Sequence, residues 1–451
     1  MKLLFISASK RWEGRTYREY PYGIGILSTL ANEAGHSVYI LDMAVDDKDY
    51  VQVVKEFQPD VIAIAFMSPS VLIAREVIRR LDTEFDIPII AGGIHSTLYP
   101  EAVLNYGADI VMLGEGELTF VDVLHYIRDN PPSKLKIKLS EIPNLVYRNA
   151  EGKIEYTRRQ SQSVDLNSLP VMNRNLFDLK FYPHHSLLTS RCCPYQCRFC
   201  CSWAPGGSRG RIMHSGKILD SLEWLTDNYG AFELYWGDEI FFWSRKERMT
   251  FCRVLKERKF PIKFIVQLRA DLIDAELVEA LAEAGCTKIC IGAESGSDKL
   301  LKTANKRVTA AQVEKAIKEC VKGGVACKTW WMVGLPGGGK EEQLKSLEVI
   351  DHARPNEVAV HQFVPLPGSE FWNRASEFGI RLPSEASFEN LNYYSDPRQL
   401  SYDYISGEEL YDVLKIYEEH LIRIGYVPTD KAVETSKYVF TTPFQKKTFN
   451  I

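Results

Sequence analysis

Three cysteines lie close together near the middle of the chain: Cys193, Cys197 and Cys200, separated by three and two residues. They follow a short apolar segment at 186–190 that is predicted to be a strand, so they stand on a loop. Cuboidal 4Fe–4S clusters usually take a thiolate ligand on every iron. Three cysteines at this spacing therefore predict a cluster with one iron left open, which is a site for chemistry and not only for electron storage.

Zinc and disulfides are the alternative uses of these thiols. A structural zinc site requires a fourth Cys or His on a second pair, and the sequence has no second Cys-x2-Cys or His-x3-His. Cys192 and Cys201 adjoin the predicted ligands and are poorly placed to complete one tetrahedron. Nothing in the sequence marks export, which a disulfide cluster would need. We expect both to be bystanders; the alternative is that one contacts substrate or cofactor.

The same stretch resembles the signature of the radical S-adenosylmethionine (SAM) superfamily, Cys-x3-Cys-x2-Cys with an aromatic residue, here Phe199, before the last cysteine. The resemblance implies a 4Fe–4S cluster on the three cysteines, with SAM chelating the open iron. Reductive cleavage of SAM would then give a 5′-deoxyadenosyl radical. It also implies an electron donor such as flavodoxin or ferredoxin, and a small-molecule or peptide substrate.

From residue 186 onward, predicted strands and helices alternate in six βα units, which fit a partial (β/α)6 barrel. Catalytic residues of such barrels lie at the carboxyl ends of the strands. The predicted strands are 186–190, 232–236, 264–269, 288–294, 329–335 and 358–365; the predicted helices are 217–228, 246–258, 275–284, 310–323 and 341–352.

Two polar segments at these strand ends resemble SAM-binding segments of the family. Gly237, Asp238 and Glu239 follow the second strand, and by resemblance they should help to bind the amino group of SAM. Arg269 ends the third strand and could pair with the SAM carboxylate. The residues alone also allow plainer roles: a helix-capping acidic turn for the first segment, and a pair with a structural acid for Arg269.

Two further strand ends extend the resemblance. Glu294 and Ser295 match a Gly-x-Glu-Ser segment whose acid and hydroxyl lie near the SAM ribose and carboxylate. Gly334 belongs to a glycine-rich turn where bare backbone would pack against adenine. Together with the rigid turn at 365–369, these segments occur in the family's order over most of the barrel.

The first part of the chain predicts a doubly wound, flavodoxin/Rossmann-like α/β domain. Continuous apolar strands separated by helices favour a parallel sheet covered on both faces, and such sheets bind ligands at the carboxyl ends of their strands. The predicted strands are 3–7, 38–42, 61–66, 87–91 and 110–113, with helical spacing at 24–34 and 72–81.

Glycine-rich loops follow three of those strands, at 21–23, 92–97 and 114–117, and glycine lets backbone approach a ligand closely. Their order resembles the cobalamin-binding-type domain that precedes many radical SAM cores. The Asp-x-His-x-x-Gly motif that ligates cobalt is absent, so His95 is expected to form hydrogen bonds within its loop. The resemblance implies cobalamin contacts from Gly92, Gly93, His95, Thr97, Gly114 and Glu115.

The predicted organisation is a cobalamin-type domain at 1–130, a connector at 131–183, a barrel at 184–384 and a C-terminal cap at 385–451. Pro131 and Pro132 end the preceding helix, and a hairpin is predicted with strands at 144–148 and 153–157. An amphipathic helix is predicted at 408–424. The cap either shapes the substrate pocket or is a packing appendage.

Composition excludes some functions. The 451 residues carry a net charge of −4, which does not indicate a nucleic-acid partner, and no apolar run approaches the roughly 18 residues of a membrane span. The N-terminus reads as a buried strand and not as a signal peptide, so a cytoplasmic protein with reduced thiols is expected. Core packing is the favoured interpretation of the remaining cysteines, Cys252, Cys286, Cys290, Cys320 and Cys327.

The leading hypothesis is a radical SAM enzyme that uses cobalamin to methylate an unactivated carbon or phosphorus centre. The runner-up keeps the radical chemistry for dehydration, rearrangement, cyclisation or a lyase-type step, on a domain that need not hold cobalamin. A hypothesis from another class is a non-catalytic binding or sensing protein with a decayed site, in which a cluster or a zinc ion only stabilises the fold. Five intact motifs at successive strand ends argue against the last.

Overall fold

A computed structural model describes residues 1–9, 19–130, 139–160, 163–182, 184–202, 210–230, 232–392, 395–400, 402–429 and 439–442. The predicted helix break at Pro131 and Pro132 and the last nine residues of the predicted cap lie outside these ranges.

The N-terminal half forms one seven-stranded sheet in the order β2-β1-β3-β4-β5-β6-β7, of which the first five strands are parallel. Its strands are apolar on both faces because helices cover both sides of the sheet; Leu3 and Leu4, for example, point to opposite faces and are both buried. The doubly wound prediction is confirmed. The strands are β1 (Lys2–Ser7), β2 (Ser37–Asp42), β3 (Val61–Ala65), β4 (Ile89–Gly92), β5 (Ile110–Met112), β6 (Leu145–Arg148) and β7 (Ile154–Tyr156); the helices are α1 (Tyr22–Glu33), α2 (Tyr50–Phe57), α3 (Val71–Glu84), α4 (Ile94–Leu98), α5 (Pro100–Tyr106) and α6 (Phe120–Asp129).

The predicted hairpin is present as β6 and β7, but it belongs to the N-terminal sheet. Strand β6 pairs antiparallel with β5, and β7 pairs antiparallel with β6. Leu145, Val146 and Tyr147 are buried there, so the hairpin covers what would otherwise be an open sheet edge. We therefore place the end of the N-terminal unit after Tyr156, and not at residue 130.

The second sheet has the order β16-β17-β15-β14-β13-β12-β11-β8, and it does not close. The six strands from β8 to β15 in this order are parallel, and β17 and then β16 are added antiparallel at the β15 edge. The predicted partial barrel is confirmed, and strands β16 and β17 extend its last edge. The strands are β8 (His185–Leu187), β9 (Ser190–Arg191), β10 (Arg211–Ile212), β11 (Phe232–Trp236), β12 (Ile262–Leu268), β13 (Cys286–Glu294), β14 (Ala326–Val333), β15 (Glu357–Gln362), β16 (Val427–Pro428) and β17 (Val439–Thr441); the helices are α7 (Ser215–Tyr229), α8 (Arg245–Arg258), α9 (Ala275–Glu283), α10 (Asp298–Thr303), α11 (Ala310–Lys322), α12 (Lys340–Leu344), α13 (Ser346–Ala353), α14 (Glu370–Asn373) and α15 (Gly407–Arg423).

The predicted helix at 341–352 is broken into α12 and α13 at Lys345. Gly296 packs against that break, since a Cβ at Gly296 would lie 2.5 Å from the Lys345 carbonyl oxygen. The Gly296 N–H also donates to Ser346 Oγ at 2.8 Å. The break therefore fits the turn after β13 against the start of α13.

Helix α15 confirms the amphipathic helix predicted near the C-terminus. Ser406 and Glu409 form a reciprocal capping box at its start. Its buried stripe includes Leu410, Val413 and Tyr417, and the Tyr417 hydroxyl donates to the Gln343 carbonyl oxygen at 2.6 Å. The helix is therefore fastened to the barrel at α12. Across the described ranges, none of the helices has both the length and the apolar character needed to cross a membrane.

Candidate active site

The three predicted ligands stand on one loop between β9 and β10, here called the cluster loop (residues 192–202). Cys197 is buried, and Cys193 and Cys200 are half-buried. The Cys200 N–H donates to the Cys197 carbonyl oxygen at 3.1 Å, which folds the two ligands into one turn. Burial raises the pKa of Cys193 to about 11 and raises the pKa of both other thiols.

The donor set fits an iron–sulfur cluster. All three thiols belong to one short loop, and a hydrogen-bonded turn joins Cys197 to Cys200. In the part of the chain that the structure describes, no three side chains converge tightly enough to hold a single metal ion. A cuboidal cluster instead spreads its thiolate ligands over separate irons.

Asp238 anchors the start of the cluster loop. Its carboxylate accepts hydrogen bonds from Thr189 N at 2.8 Å, from Ser190 N at 2.7 Å and from the Thr189 hydroxyl. Burial raises the pKa of Asp238 to about 6, against the lowering effect of these donors. The expectation that Asp238 binds the SAM amino group is corrected, because its oxygens are already taken by the strand that leads into the loop.

Asp238→Ala is expected to reduce the free energy of unfolding by about 2–4 kcal/mol, because two buried backbone N–H groups would lose their acceptor. Chemical denaturation measures this. Glu239→Ala is the matched control, since Glu239 is the exposed neighbour and should change stability little. Equal stabilities of the two variants would contradict the anchoring role.

Arg269 lies beside a cluster ligand. Its Nη1 is 3.9 Å from Cys197 Sγ, and its guanidinium lies 3.7 Å from the centre of the Tyr195 ring. Its Nε pairs with Asp271 at 3.0 Å, and its Nη2 donates to the Lys306 carbonyl oxygen at 2.7 Å. The structural-acid alternative therefore describes Arg269 better than a pair with the SAM carboxylate.

Glu294 and Ser295 are both buried at the end of β13. Glu294 accepts from Lys306 Nζ at 2.7 Å, and Lys306 Nζ lies 5.7 Å from the Phe199 ring centre. Ser295 Oγ accepts from Ser297 N at 3.0 Å and shapes the following turn. The predicted pair thus lies close to the cluster loop, with the Glu294 carboxylate neutralised by a lysine that sequence reasoning missed.

Gly334 contacts protein where adenine was expected. Its N–H donates to Gln343 Oε1 and its carbonyl accepts from the Tyr404 hydroxyl, both at 2.9 Å. Its φ of 93° requires glycine, and an added Cβ would lie 3.1 Å from Leu410 Cδ1. The C-terminal segment therefore occupies the space around Gly334, which corrects the adenine expectation for this residue.

One cavity of about 570 Å³ lies between the N-terminal sheet and the cluster loop. The predicted glycine-rich segments 22–23, 92–97 and 114–117 all contribute to its wall, as their positions after parallel strands predict. Residues 22–23 begin α1 and residues 94–97 lie in α4, so helix starts form part of this wall in place of the predicted loops. The opposite wall contains Cys192, Cys201, Ser202 and Glu239, and Glu239 accepts from Ser202 Oγ at 2.8 Å. The glycine-rich loops and the cluster loop therefore face each other across a single space.

His95 and Thr97, which lie in α4, have different roles. His95 is buried, its Nδ1 lies 3.0 Å from Ser68 Oγ, and its ring packs on Phe388 at 6.2 Å. This agrees with a hydrogen-bonding role inside the protein. Thr97 lines the cavity, and its Oγ1 accepts from Gly114 N at 2.9 Å, which joins two of the loops.

Comparison with known proteins agrees with this arrangement. The B12 binding domain model matches residues 15–124, and the Radical SAM superfamily model matches residues 187–350. The chain therefore carries a B12-binding domain followed by a radical SAM domain. The predicted family, fold class and cofactor set, and the prediction of an enzyme, are thereby confirmed; the residue assignments remain predictions.

Similar proteins match over most of the chain. An uncharacterized methyltransferase of Pyrococcus horikoshii is 27% identical over 83% of this chain and 83% of its own length. Cytidylyl-2-hydroxyethylphosphonate methyltransferase of Streptomyces wedmorensis is 23% identical over 82% and 80%. The solved structure of the methyltransferase TsrM from Kitasatospora setae, with cobalamin and a [4Fe-4S] cluster bound, has a TM-score of 0.73 at 17% identity, over 91% and 90% of the two chains. That likeness shows the fold.

An ion-pair network joins the B12-binding domain to the radical SAM domain beside the cavity. Glu115 pairs with Arg191 at 3.1 Å and with Arg211 at 2.5 Å and 3.0 Å, and Glu117 also pairs with Arg191. Burial opposes ionisation of Glu115, but Arg211, the Val164 N–H and Arg191 outweigh it and lower its pKa. Glu115 therefore links the two domains; because it also lines the cavity, its contact with cobalamin stays a prediction.

Glu115→Gln is expected to reduce the free energy of unfolding by about 1–3 kcal/mol, since two largely buried arginines would lose a charged partner. Glu283→Gln is the control: Glu283 pairs with Lys256 on the surface, and exposed pairs contribute about 0–1 kcal/mol. Chemical denaturation of both variants measures the difference. A Glu115→Gln effect as small as that of the control would contradict the inter-domain role.

Proposed function

We propose that the protein is a cobalamin-dependent radical SAM methyltransferase that methylates an unactivated centre of a small molecule. The observation that carries this proposal is the single cavity lined on one side by the glycine-rich loops of the B12-binding domain and on the other by the cluster loop. Methyl transfer needs both cofactors within reach of one substrate, and a shared cavity provides that. Two relatives that match about four-fifths of the chain are methyltransferases by name, which supports the proposal.

The residues that would hold each cofactor follow from the site. Cys193, Cys197 and Cys200 would hold the cluster and leave one iron for SAM. Glu239 would reach the SAM amino group from the cavity wall, since its neighbour Asp238 is engaged elsewhere. The loops at 92–97 and 114–117 would carry the corrinoid on backbone groups. His95 does not belong to the described wall of this cavity, so it is not proposed as a cobalt ligand.

When bound, the cluster and SAM supply a carbon radical, and cobalamin supplies a methyl carrier. The chain's own contribution is position and exclusion of water. The cavity wall includes the apolar side chains of Leu27, Met112 and Leu188, which leave few polar groups there to bind water. Excluding water prevents side reactions of reactive intermediates.

Product analysis tests the proposal. Protein purified with cobalamin and reconstituted anaerobically is incubated with SAM and dithionite. A methyltransferase should release both S-adenosylhomocysteine, from methyl donation, and 5′-deoxyadenosine, from reductive cleavage. Protein prepared without cobalamin should release 5′-deoxyadenosine alone. If the cobalamin-loaded protein also gives 5′-deoxyadenosine alone, a dehydratase, cyclase or lyase-type reaction replaces the proposal.

A further inference from the structure

The turn at 303–307 packs against the cluster loop. Arg198 N donates to the Ala304 carbonyl oxygen at 2.9 Å, and Asn305 Nδ2 donates to the Gln196 carbonyl oxygen at 2.7 Å. Pro194 and Gln196, which lie between the ligands Cys193 and Cys197, are exposed. Among the described residues, Phe371 also contacts the cluster loop, since its N–H donates to the Arg198 carbonyl oxygen at 2.9 Å.

Exposed cations stand on and beside that turn. Lys299, Lys302 and Arg307 are all exposed, and we call them the basic patch. A shallow surface groove contains Lys302 and Arg307 together with one carboxylate, Asp298, whose Oδ1 accepts from Ala310 N. Lys299 also lies near the Glu342 carboxylate, which pairs with Lys345 at 2.8 Å. Four cations thus stand against two carboxylates, so the patch is positive, although the whole chain carries a net charge of −4.

The cations closer to the cluster loop are engaged inside the protein. Arg198 pairs with Glu370 at 3.0 Å and donates to the Thr303 carbonyl oxygen at 2.8 Å, while Lys306 pairs with buried Glu294 at 2.7 Å. These charges hold the turn against the cluster loop. The basic patch, in contrast, points its charge into solvent, where it can attract a partner of opposite charge.

We infer that the basic patch is the docking surface for a small acidic one-electron carrier of the flavodoxin or ferredoxin type. This rests on the proposed function, which requires one electron for each reductive cleavage of SAM: the carrier is oxidised by one electron and the cluster is reduced by one. In the proposed function, SAM, substrate and corrinoid occupy the space on the cavity side of the cluster loop, so a carrier has to approach from elsewhere. The turn at 303–307 contacts the cluster loop directly, which offers the short path that electron transfer needs. A charged surface steers association of weak redox partners.

The test compares two double variants with the same change in charge. Lys302→Glu/Arg307→Glu alters the basic patch, whereas Lys263→Glu/Lys322→Glu alters exposed lysines at the opposite end of the barrel, at the start of β12 and the end of α11. The dissociation constant of an acidic flavodoxin for each holoenzyme is measured at low ionic strength through flavin fluorescence. The patch variant should bind about tenfold more weakly, with a flatter salt dependence, and the control should bind as the wild type does.

Equal flavodoxin binding by the patch variant and the wild type, or equal weakening in both double variants, would overturn the docking surface. Cleavage of SAM driven by dithionite should be the same in all three proteins, because a small reductant needs no docking. A wild type that cleaves no SAM with dithionite would refute the proposed function, and the flavodoxin dissociation constants would still decide the docking surface. The two failures are thus distinguishable.

Discussion

Replacing any one of Cys193, Cys197 or Cys200 by alanine is expected to remove the cluster and to reduce cleavage of SAM to the background level. Each cysteine would anchor a different iron, and the loss of one thiolate leaves an iron without a protein ligand. Iron and sulfide analysis, the cluster absorbance and the yield of 5′-deoxyadenosine after reduction measure the effect. This is the largest effect that we expect from single substitutions.

Cys201→Ala is the matched control for these variants. Cys201 adjoins a ligand and is comparably buried, but three ligands already suffice, so its removal should leave the iron content unchanged. A ligand variant with full iron content and activity would show that the assignment is wrong. Cys201 also lines the cavity, so a variant that keeps the cluster and SAM cleavage but forms no methylated product would place this thiol at the substrate.

Gly92→Val is expected to prevent binding of cobalamin while the cluster stays intact. Gly92 ends β4 on the cavity wall, and an added Cβ would find only Met112 Cβ, at 4.0 Å, so a valine side chain has room but occupies cavity space. The corrinoid content of the purified protein, measured from its absorbance, should fall from stoichiometric to near zero. Reductive cleavage of SAM should persist.

The neighbouring Gly93 would be a poorer probe of the cavity. Its φ is 91°, and an added Cβ would lie 3.3 Å from the Phe66 carbonyl oxygen, so a substitution there strains the loop backbone itself. Gly216→Val is the control for Gly92→Val, because Gly216 is exposed at the start of α7 and has open space around it. Stoichiometric cobalamin retained by Gly92→Val would contradict the placement of the corrinoid.

The sequence predicted the strand order along the chain and the cluster loop well, because both depend on local signals. Apolar runs such as 61–66 and 288–294 differ from the observed strands by only a residue or two at their ends, and the cysteine spacing lies within eight residues. The meeting of the three glycine-rich loops also followed from a general rule, since each one follows a parallel strand of the same sheet.

The roles of individual polar residues were predicted less well, because their partners are far away in the sequence. Asp238 accepts a hydrogen bond from Thr189, Glu115 forms ion pairs with Arg191 and Arg211, and the Gly334 carbonyl oxygen accepts from the Tyr404 hydroxyl. The local sequence around these residues does not predict such partners. A strand-end position indicates that a residue is near the site, but only the fold shows whether a carboxylate faces the cavity or the protein.

The hairpin of β6 and β7 shows the same limit at the level of domains. Its turn and its strands were evident from the sequence, but its pairing with β5 depends on which sheet edge is open. The proline pair before it favoured a domain boundary, whereas the buried side chains Leu145 and Val146 bind it to the N-terminal sheet. Edge pairing between segments more than 30 residues apart leaves no local signal.

The most direct test of the shared cavity is the electron paramagnetic resonance spectrum of the reduced protein that holds both the cluster and cob(II)alamin. Two paramagnetic centres that face one cavity should be magnetically coupled, which splits or broadens both signals. Cys197→Ala supplies the reference spectrum of cobalamin alone, and Gly92→Val supplies that of the cluster alone. We expect the wild-type spectrum to differ clearly from the sum of these references; a spectrum equal to their sum would contradict the claim that both cofactors face one cavity.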